Sequence, residues 1–284
     1  MSNGKSKLPV IATLSAVVQR ISKNVTSYGL LALPTFFFSL LSYYVQISHV
    51  NYSIESGDYS RTRFDLVTFA SQIVGIVLYV MLFANIVRRT LLGSVGPRNI
   101  FGLGWGWREF RIVGRYLLVL IVLLLLLAPV IVLVISMTGD KEKSLWLAFI
   151  PLATLALVVF VSCRTLTYVT APSLDTRMSF GDAFDSTKGN VLRIFASFLL
   201  LMLPYLIAWA IFVAIVGSPI EVALLVTNSF LVVIVLNFVS VTMTVFSMVL
   251  VALIYEHLVP APTTGQELPG SETSWIPVSP ARLP

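Results

Sequence analysis

The sequence predicts an all-α, polytopic membrane protein with six transmembrane helices, both termini cytoplasmic, and short interfacial helices besides. Three observations predict it. Only 11% of the 284 residues are charged and 57% are hydrophobic, while a soluble domain carries about 25% charged residues. So few charges cannot cover the surface of a water-soluble globule. The apolar residues also gather into six runs, near 26–48, 64–87, 116–138, 145–163, 194–216 and 224–254. Each is close to the roughly 20 residues that carry a helix across about 30 Å of hydrocarbon. None of the runs alternates as a membrane strand of about 9–11 residues does. The runs are helices.

The first run lies behind a basic stretch and lacks the small-residue cleavage site of a signal peptide, so it reads as a retained span. Basic residues then set the orientation. Lys5, Lys7, Arg20 and Lys23 share a side with the Arg88–Arg115 and Arg164–Arg193 loops, and that side carries 15 of the 19 Lys and Arg residues. The other side carries 4, namely Arg61, Arg63, Lys141 and Lys143. Cytoplasmic loops hold the excess of positive charge, which places both termini in the cytoplasm. The chain therefore divides into a cytoplasmic amphipathic segment (1–25), a membrane domain (26–256) and a disordered Pro-rich cytoplasmic tail (257–284). The outer loops, near 49–63, 139–144 and 217–223, are too short to fold alone.

Three cytoplasmic segments have amphipathic character. Leu8, Ile11, Leu14, Val17, Val18 and Ile21 recur at helical spacing and suit a helix in the headgroup plane. In Gly102–Phe110, glycines alternate with Trp105 and Trp107 ahead of Arg108 and Arg111. Indole rings beside guanidinium groups make these four interfacial anchors. Ser179 and Asp182 have capping-box spacing, with Asp in place of Glu. The helix they start buries Phe180 and Phe184 and ends at Gly189, and Asn190 caps the next membrane helix. The odd-numbered spans each carry one proline, Pro34, Pro129 and Pro204, a weak echo of three hairpins of one orientation.

Chemistry-bearing residues are sparse. The single cysteine, Cys163, excludes a disulfide framework within the chain. His49 and His257 fall at opposite membrane faces, and no Gly-x-Ser-x-Gly, P-loop or His-Glu-x-x-His pattern occurs. The Gly102, Gly104, Gly106 series lacks the strand and acidic residue of a dinucleotide site. No cofactor, metal or catalytic residue is expected, and the net charge of +6 fits anionic lipid better than nucleic acid. Charged residues, the usual mark of an ion path, are confined to span ends. There Arg164 and Glu256 form a candidate cytoplasmic-face ion pair. Inside the sixth span, Asn237, Ser240, Thr244 and Ser247 fall within an arc of about 80° at 3.6 residues per turn. This candidate polar stripe has two readings: interhelical hydrogen bonding, with Gln72 and Asn85 as candidate partners, or a lining for a ligand or lipid headgroup.

Two stretches resemble a known module. Arg164-Thr165-Leu166 through Ala171-Pro172-Ser173, with Ser179-Phe180-Gly181-Asp182-Ala183-Phe184, Thr187-Lys188-Gly189-Asn190 and Arg193-Ile194-Phe195, is one. Arg88-Arg89-Thr90-Leu91-Leu92-Gly93 with Trp105-Gly106-Trp107-Arg108-Glu109-Phe110 is the other. Together they are similar to the six-helix membrane module attached to some bacterial glycerophosphoryl diester phosphodiesterases, which also stands alone in uncharacterised inner-membrane proteins. The resemblance covers about residues 10–256 and implies a bacterial cytoplasmic membrane. The phosphodiesterase activity belongs to a separate soluble barrel and is not carried over. Two functions follow as expectations. One is a non-enzymatic accessory or scaffolding component acting through cytoplasmic loops, with lipids, a membrane-protein partner or a second copy as partners. The alternative is a transporter or lipid-handling protein built on the neutral polar stripe.

Reporter fusions after Pro284 and within residues 139–144 should report opposite sides of the membrane. A translocated C-terminus would contradict the six-helix topology.

Overall fold

The structure is a computed structural model that describes residues 7–56, 66–93, 105–137, 144–216 and 230–259. Among these residues there are helices and no strand. In chain order they are α1 (Val10–Lys23), α2 (Val25–Ser56), α3 (Leu66–Leu92), α4 (Trp107–Met137), α5 (Ser144–Thr170), α6 (Phe180–Ser186), α7 (Val191–Val216) and α8 (Phe230–Leu258). A buried 3₁₀ turn, Ala171–Leu174, follows α5. Six of the helices, α2, α3, α4, α5, α7 and α8, are long and apolar enough to cross a membrane. The chain is a multi-pass helical membrane protein. The Pro-rich tail, with Trp275 and Ile276, lies outside the described residues, as do most of the outer loops.

The helices overrun the apolar runs because each span continues past the hydrocarbon. α2 has 32 residues, about 48 Å at 1.5 Å per residue, and continues to Ser56, well past the end of its apolar run at Ser48. α4 starts at Trp107, so Trp107–Arg115 is the first part of a membrane helix. Of the Gly102–Phe110 stretch, the residues from Trp107 onward thus belong to the first turn of α4. Its start is capped locally: the Gly106 N–H donates to Glu109 Oε2 at 2.8 Å, which satisfies a donor that the helix leaves orphaned. Pro34, Pro129 and Pro204 lie within α2, α4 and α7. Gly93 ends α3 and Gly189 separates α6 from α7, at φ +73° and +83°, a left-handed backbone that glycine adopts without steric cost.

Among the described residues, buried side chains gather at the arginine-rich end of the bundle. α8 is the central helix, in contact with α1, α2, α3, α5 and α7. Its buried residues are Val245 and the unbroken run Met248–Tyr255, with Val233 alone nearer its start. α3 buries Val80–Ala84, Ile86 and Val87, and α2 buries Tyr28, Leu31 and Ala32. All of these lie toward the same end. Tyr28 Oη and Thr90 Oγ1 join α2 to α3 there at 3.0 Å, both buried.

α1 crosses this end as a strap. Asn24 breaks the helix for one residue, its N–H donating to Ile21 O, and the chain then turns into α2. The apolar face expected to lie on the membrane is divided. Leu8, Val17, Leu14 and Ile21 pack into the protein core, while Ile11 and Val18 are 80% and 57% exposed. Two long-range hydrogen bonds pin the strap. The buried Leu8 N–H donates to Asn190 Oδ1 at 2.9 Å, and Arg193 donates to Leu8 O at 3.1 Å.

Asn190→Ala should release this strap, because a buried N–H without an acceptor costs about 1–3 kcal/mol. Amide exchange across residues 8–23 should accelerate. Unchanged exchange would mean that apolar contacts alone hold α1.

Candidate functional site

At the basic end, charge gathers around one carboxylate. The 3₁₀ turn buries Ala171, Pro172 and Ser173 and delivers Asp175 in a left-handed conformation, φ +57°, which Asp tolerates better than most residues. The Asp175 N–H donates to Pro172 O at 3.0 Å, and the Thr176 N–H to Ala171 O at 3.1 Å. Three arginines from two helices converge on the side chain. Arg88 of α3 reaches Asp175 Oδ2 at 3.2 Å, and Arg111 and Arg108 of α4 reach Oδ1 at 3.1 and 3.6 Å. Arg88 also donates to Ser173 O at 3.3 Å. Thr176 Oγ1 and Tyr255 Oη, 2.9 Å apart, tie the turn to α8.

Beside this cluster runs a ladder of cations and rings. Arg115 donates to Tyr168 O at 2.6 Å and lies over the Tyr168 ring, 4.5 Å from its centroid. Tyr168 meets Phe180 edge-on at 5.5 Å, and Phe180 meets Phe184 at 4.9 Å. Arg164 covers Phe184 and Phe160 at 5.1 and 5.5 Å. Such contacts contribute from about 0.5 kcal/mol when exposed to about 2 when desolvated.

The expected Arg164–Glu256 pair does not form. Arg164 donates to Phe184 O and, at 3.5 Å, to Thr187 Oγ1, while Glu256 is exposed. The reason is that α6 folds back against α5 and offers carbonyl acceptors nearer than the end of α8. The capping box that starts α6 is present as expected. Asp182 N–H donates to Ser179 Oγ and Ser179 N–H to Asp182 Oδ2, both at 3.1 Å. The hydroxyl and backbone N–H of Ser179 hold the Asp182 carboxyl below the usual carboxylate range. Asn190 begins α7, with its side chain committed to Leu8.

The interfacial anchors separate into two pairs. Trp105 and Trp107 are exposed, and each ring contacts Phe110. Arg108 and Arg111 turn to Asp175. The sequence reading missed Asp175. A proline-containing turn ending in Asp, between Arg164 and Arg177, was the available signal.

The polar stripe of α8 also divides. Asn237 bridges to α2: its Oδ1 accepts from Ser39 Oγ at 2.7 Å and its Nδ2 donates to Phe36 O at 3.0 Å. Thr244 and Ser247 instead donate to Ser240 O and Met243 O in their own helix. Of the expected partners, Asn85 donates to Met81 O within α3. Gln72 and Ser240 line a cavity of about 520 Å³ between α2, α3, α7 and α8. On α2 its walls run from Thr35 to Tyr43, roughly 15–27 Å from the basic end of that helix. Ser39, Ser42, Ser71 and Asn237 add polar atoms, Tyr79, Tyr205 and Trp209 add rings with polar tips, and Phe38, Val233 and Leu236 are apolar. No charged side chain lines it. α7 contacts α8 but makes no extended contact with α2 or α3 among the described residues. The cavity therefore lies on the loosely packed side of α7.

Fold and site together define a multi-pass helical membrane protein with a neutral polar cavity away from its basic end, about midway along α2. No protein-family model matches the chain, and no curated protein or solved structure is found similar to it.

Asn237→Leu should lower stability in detergent by about 1 kcal/mol, two interhelical hydrogen bonds at roughly 0.6 each. Val235→Leu, at a half-exposed position, should change stability by less than about 0.5 kcal/mol. Equal melting temperatures for the two variants would place Asn237 against lipid.

Proposed function

We propose that this protein is a non-enzymatic lipid-handling component of the bacterial cytoplasmic membrane, which holds an uncharged amphiphile between α2, α3, α7 and α8. The observation that carries the reading is the cavity itself. Its volume of about 520 Å³ is within the roughly 300–1,000 Å³ of small-molecule sites. Its polar atoms are hydroxyls and amides, which both donate and accept. An ester, amide or sugar hydroxyl finds partners there, while a charged headgroup would enter a low-dielectric site without a counter-charge. The sparse contact of α7 with α2 and α3 offers acyl chains a lateral way to the bilayer. The lining residues bind and orient but offer no base poised near neutral pH.

Of the two functions that the sequence suggests, the cavity favours lipid handling over a purely scaffolding role. The excess of basic residues at one end supports a cytoplasmic position for α1 and the end of α8. The motifs similar to the phosphodiesterase-associated module support a bacterial membrane.

Native mass spectrometry of protein extracted from its own membranes tests the proposal. The wild type should carry one neutral lipid at near-stoichiometric occupancy. Ser240→Trp, which fills the cavity from an exposed position, should lose that lipid and keep its helical content. Retention of the same lipid by Ser240→Trp would place the ligand elsewhere.

A further inference from the structure

The cluster at the basic end holds more cation than its carboxylate can neutralise. We infer that Arg88, Arg108 and Arg111 form a binding site for a phosphate oxyanion, with Asp175 as the internal carboxylate that holds the site open for it.

Three guanidinium groups meet one carboxylate within 3.6 Å. Glu109, which also acts on Arg88, has an oxygen committed to the Gly106 N–H, and with both carboxylates counted one positive charge remains in excess. Arg115 is engaged with Tyr168 and stands outside the site. Among the described residues, the buried Nε of Arg111 has no hydrogen-bond partner, and the buried Nε of Arg108 faces Asp175 Oδ1 only at 3.6 Å, beyond hydrogen-bond distance. A guanidinium presents five N–H donors in a fixed fork, so one carboxylate with two oxygens leaves most of the cluster's donors unused.

The shape of the demand selects the ligand. Forked donors suit oxyanions that accept from several directions, as phosphate does. The site is also reachable. The side chains of Arg88, Arg108 and Arg111 are 27%, 29% and 38% exposed, and that of Asp175 is 47% exposed. Trp107, 75% exposed, is the residue beside Arg108, and indole rings favour the headgroup level of a membrane. A phosphate diester in an anionic lipid headgroup and a free phosphate share the required chemistry. Asp175 competes for the same donors, and that makes the inference separable from a purely structural ion cluster. If the cluster only braces the fold, removing Asp175 destabilises the protein and no ligand gains. If it binds phosphate, removing Asp175 frees donors and the anion binds more tightly.

The test uses the full chain. In phosphatidylcholine nanodiscs the protein is titrated with phosphatidylglycerol. In neutral micelles it is titrated with sodium phosphate against sodium chloride at matched ionic strength. The wild type should bind one of these probes saturably. Asp175→Asn should tighten that binding, and Arg108→Gln with Arg111→Gln should weaken it by about tenfold or more, as expected for lost charge-assisted hydrogen bonds. Lys188→Gln, an exposed cation outside the cluster, should leave it unchanged. Arg111→Lys keeps the charge but loses the fork, and should weaken binding even if the double variant does not fold. Binding of phosphatidylglycerol alone identifies a headgroup, and binding of both probes identifies the phosphate group itself. Saturable binding of neither probe would overturn the inference. So would Asp175→Asn without tightening, or an equal loss in Lys188→Gln. The outcome is independent of the cavity.

Discussion

One carboxylate organises the basic end of this molecule. Asp175 joins α3 and α4 through three arginines, and its turn is bonded to α8 through Thr176 and Tyr255. Each partly exposed ion pair contributes little alone, a fraction of a kcal/mol to about 1. The geometric consequence is larger. Without an anion between them, Arg88, Arg108 and Arg111 would repel one another at the junction of two membrane helices. The buried Ala171, Pro172 and Ser173 then fill the space between α3, α4 and α5, and α1 closes the same end over α8.

Within the spans, the bilayer is the solvent and every polar group needs a partner within the protein. A recurring solution here is local. Thr165, Ser197 and Ser247 donate to a carbonyl four residues back, which satisfies a hydroxyl within its own helix. Asn237 is different because its amide has both donor and acceptor to satisfy, and α2 supplies both. Where the helices separate beyond that contact, the remaining hydroxyls and rings face the cavity. Among the described residues, the bracing contacts gather at the basic end and α7 packs loosely beside the cavity.

The number and type of the helices were legible because span length and charge bias are properties of composition, read without tertiary contacts. The α6 capping box was legible for a related reason: Ser179 and Asp182 satisfy each other within one turn. Contacts set by the meeting of distant elements were not. Arg164 took its acceptors from α6, twenty residues on, and no spacing rule ranks those carbonyls above Glu256. The apolar face of α1 was visible, but not that Leu8 and Val17 would meet protein while Ile11 and Val18 faced outward. Asp175 gave the faintest signal, since its importance comes from arginines 64 and 87 residues away. The polar stripe was found as a stripe, yet its four members divide among three roles.

The central claim is that the bundle is braced at its basic end and packs more loosely around the cavity. Spin-label distance distributions in nanodiscs, with Cys163→Ala as background, measure this directly. One labelled pair joins exposed positions at the basic end, Val18 of α1 and Leu192 of α7. The other spans the cavity opening from Leu41 of α2 to Ile211 of α7, both exposed. The account predicts a narrow distribution for the first pair and a broader one for the second that sharpens when a neutral lipid is added. Equal widths for the two pairs, or a broad distribution at the basic end, would contradict it.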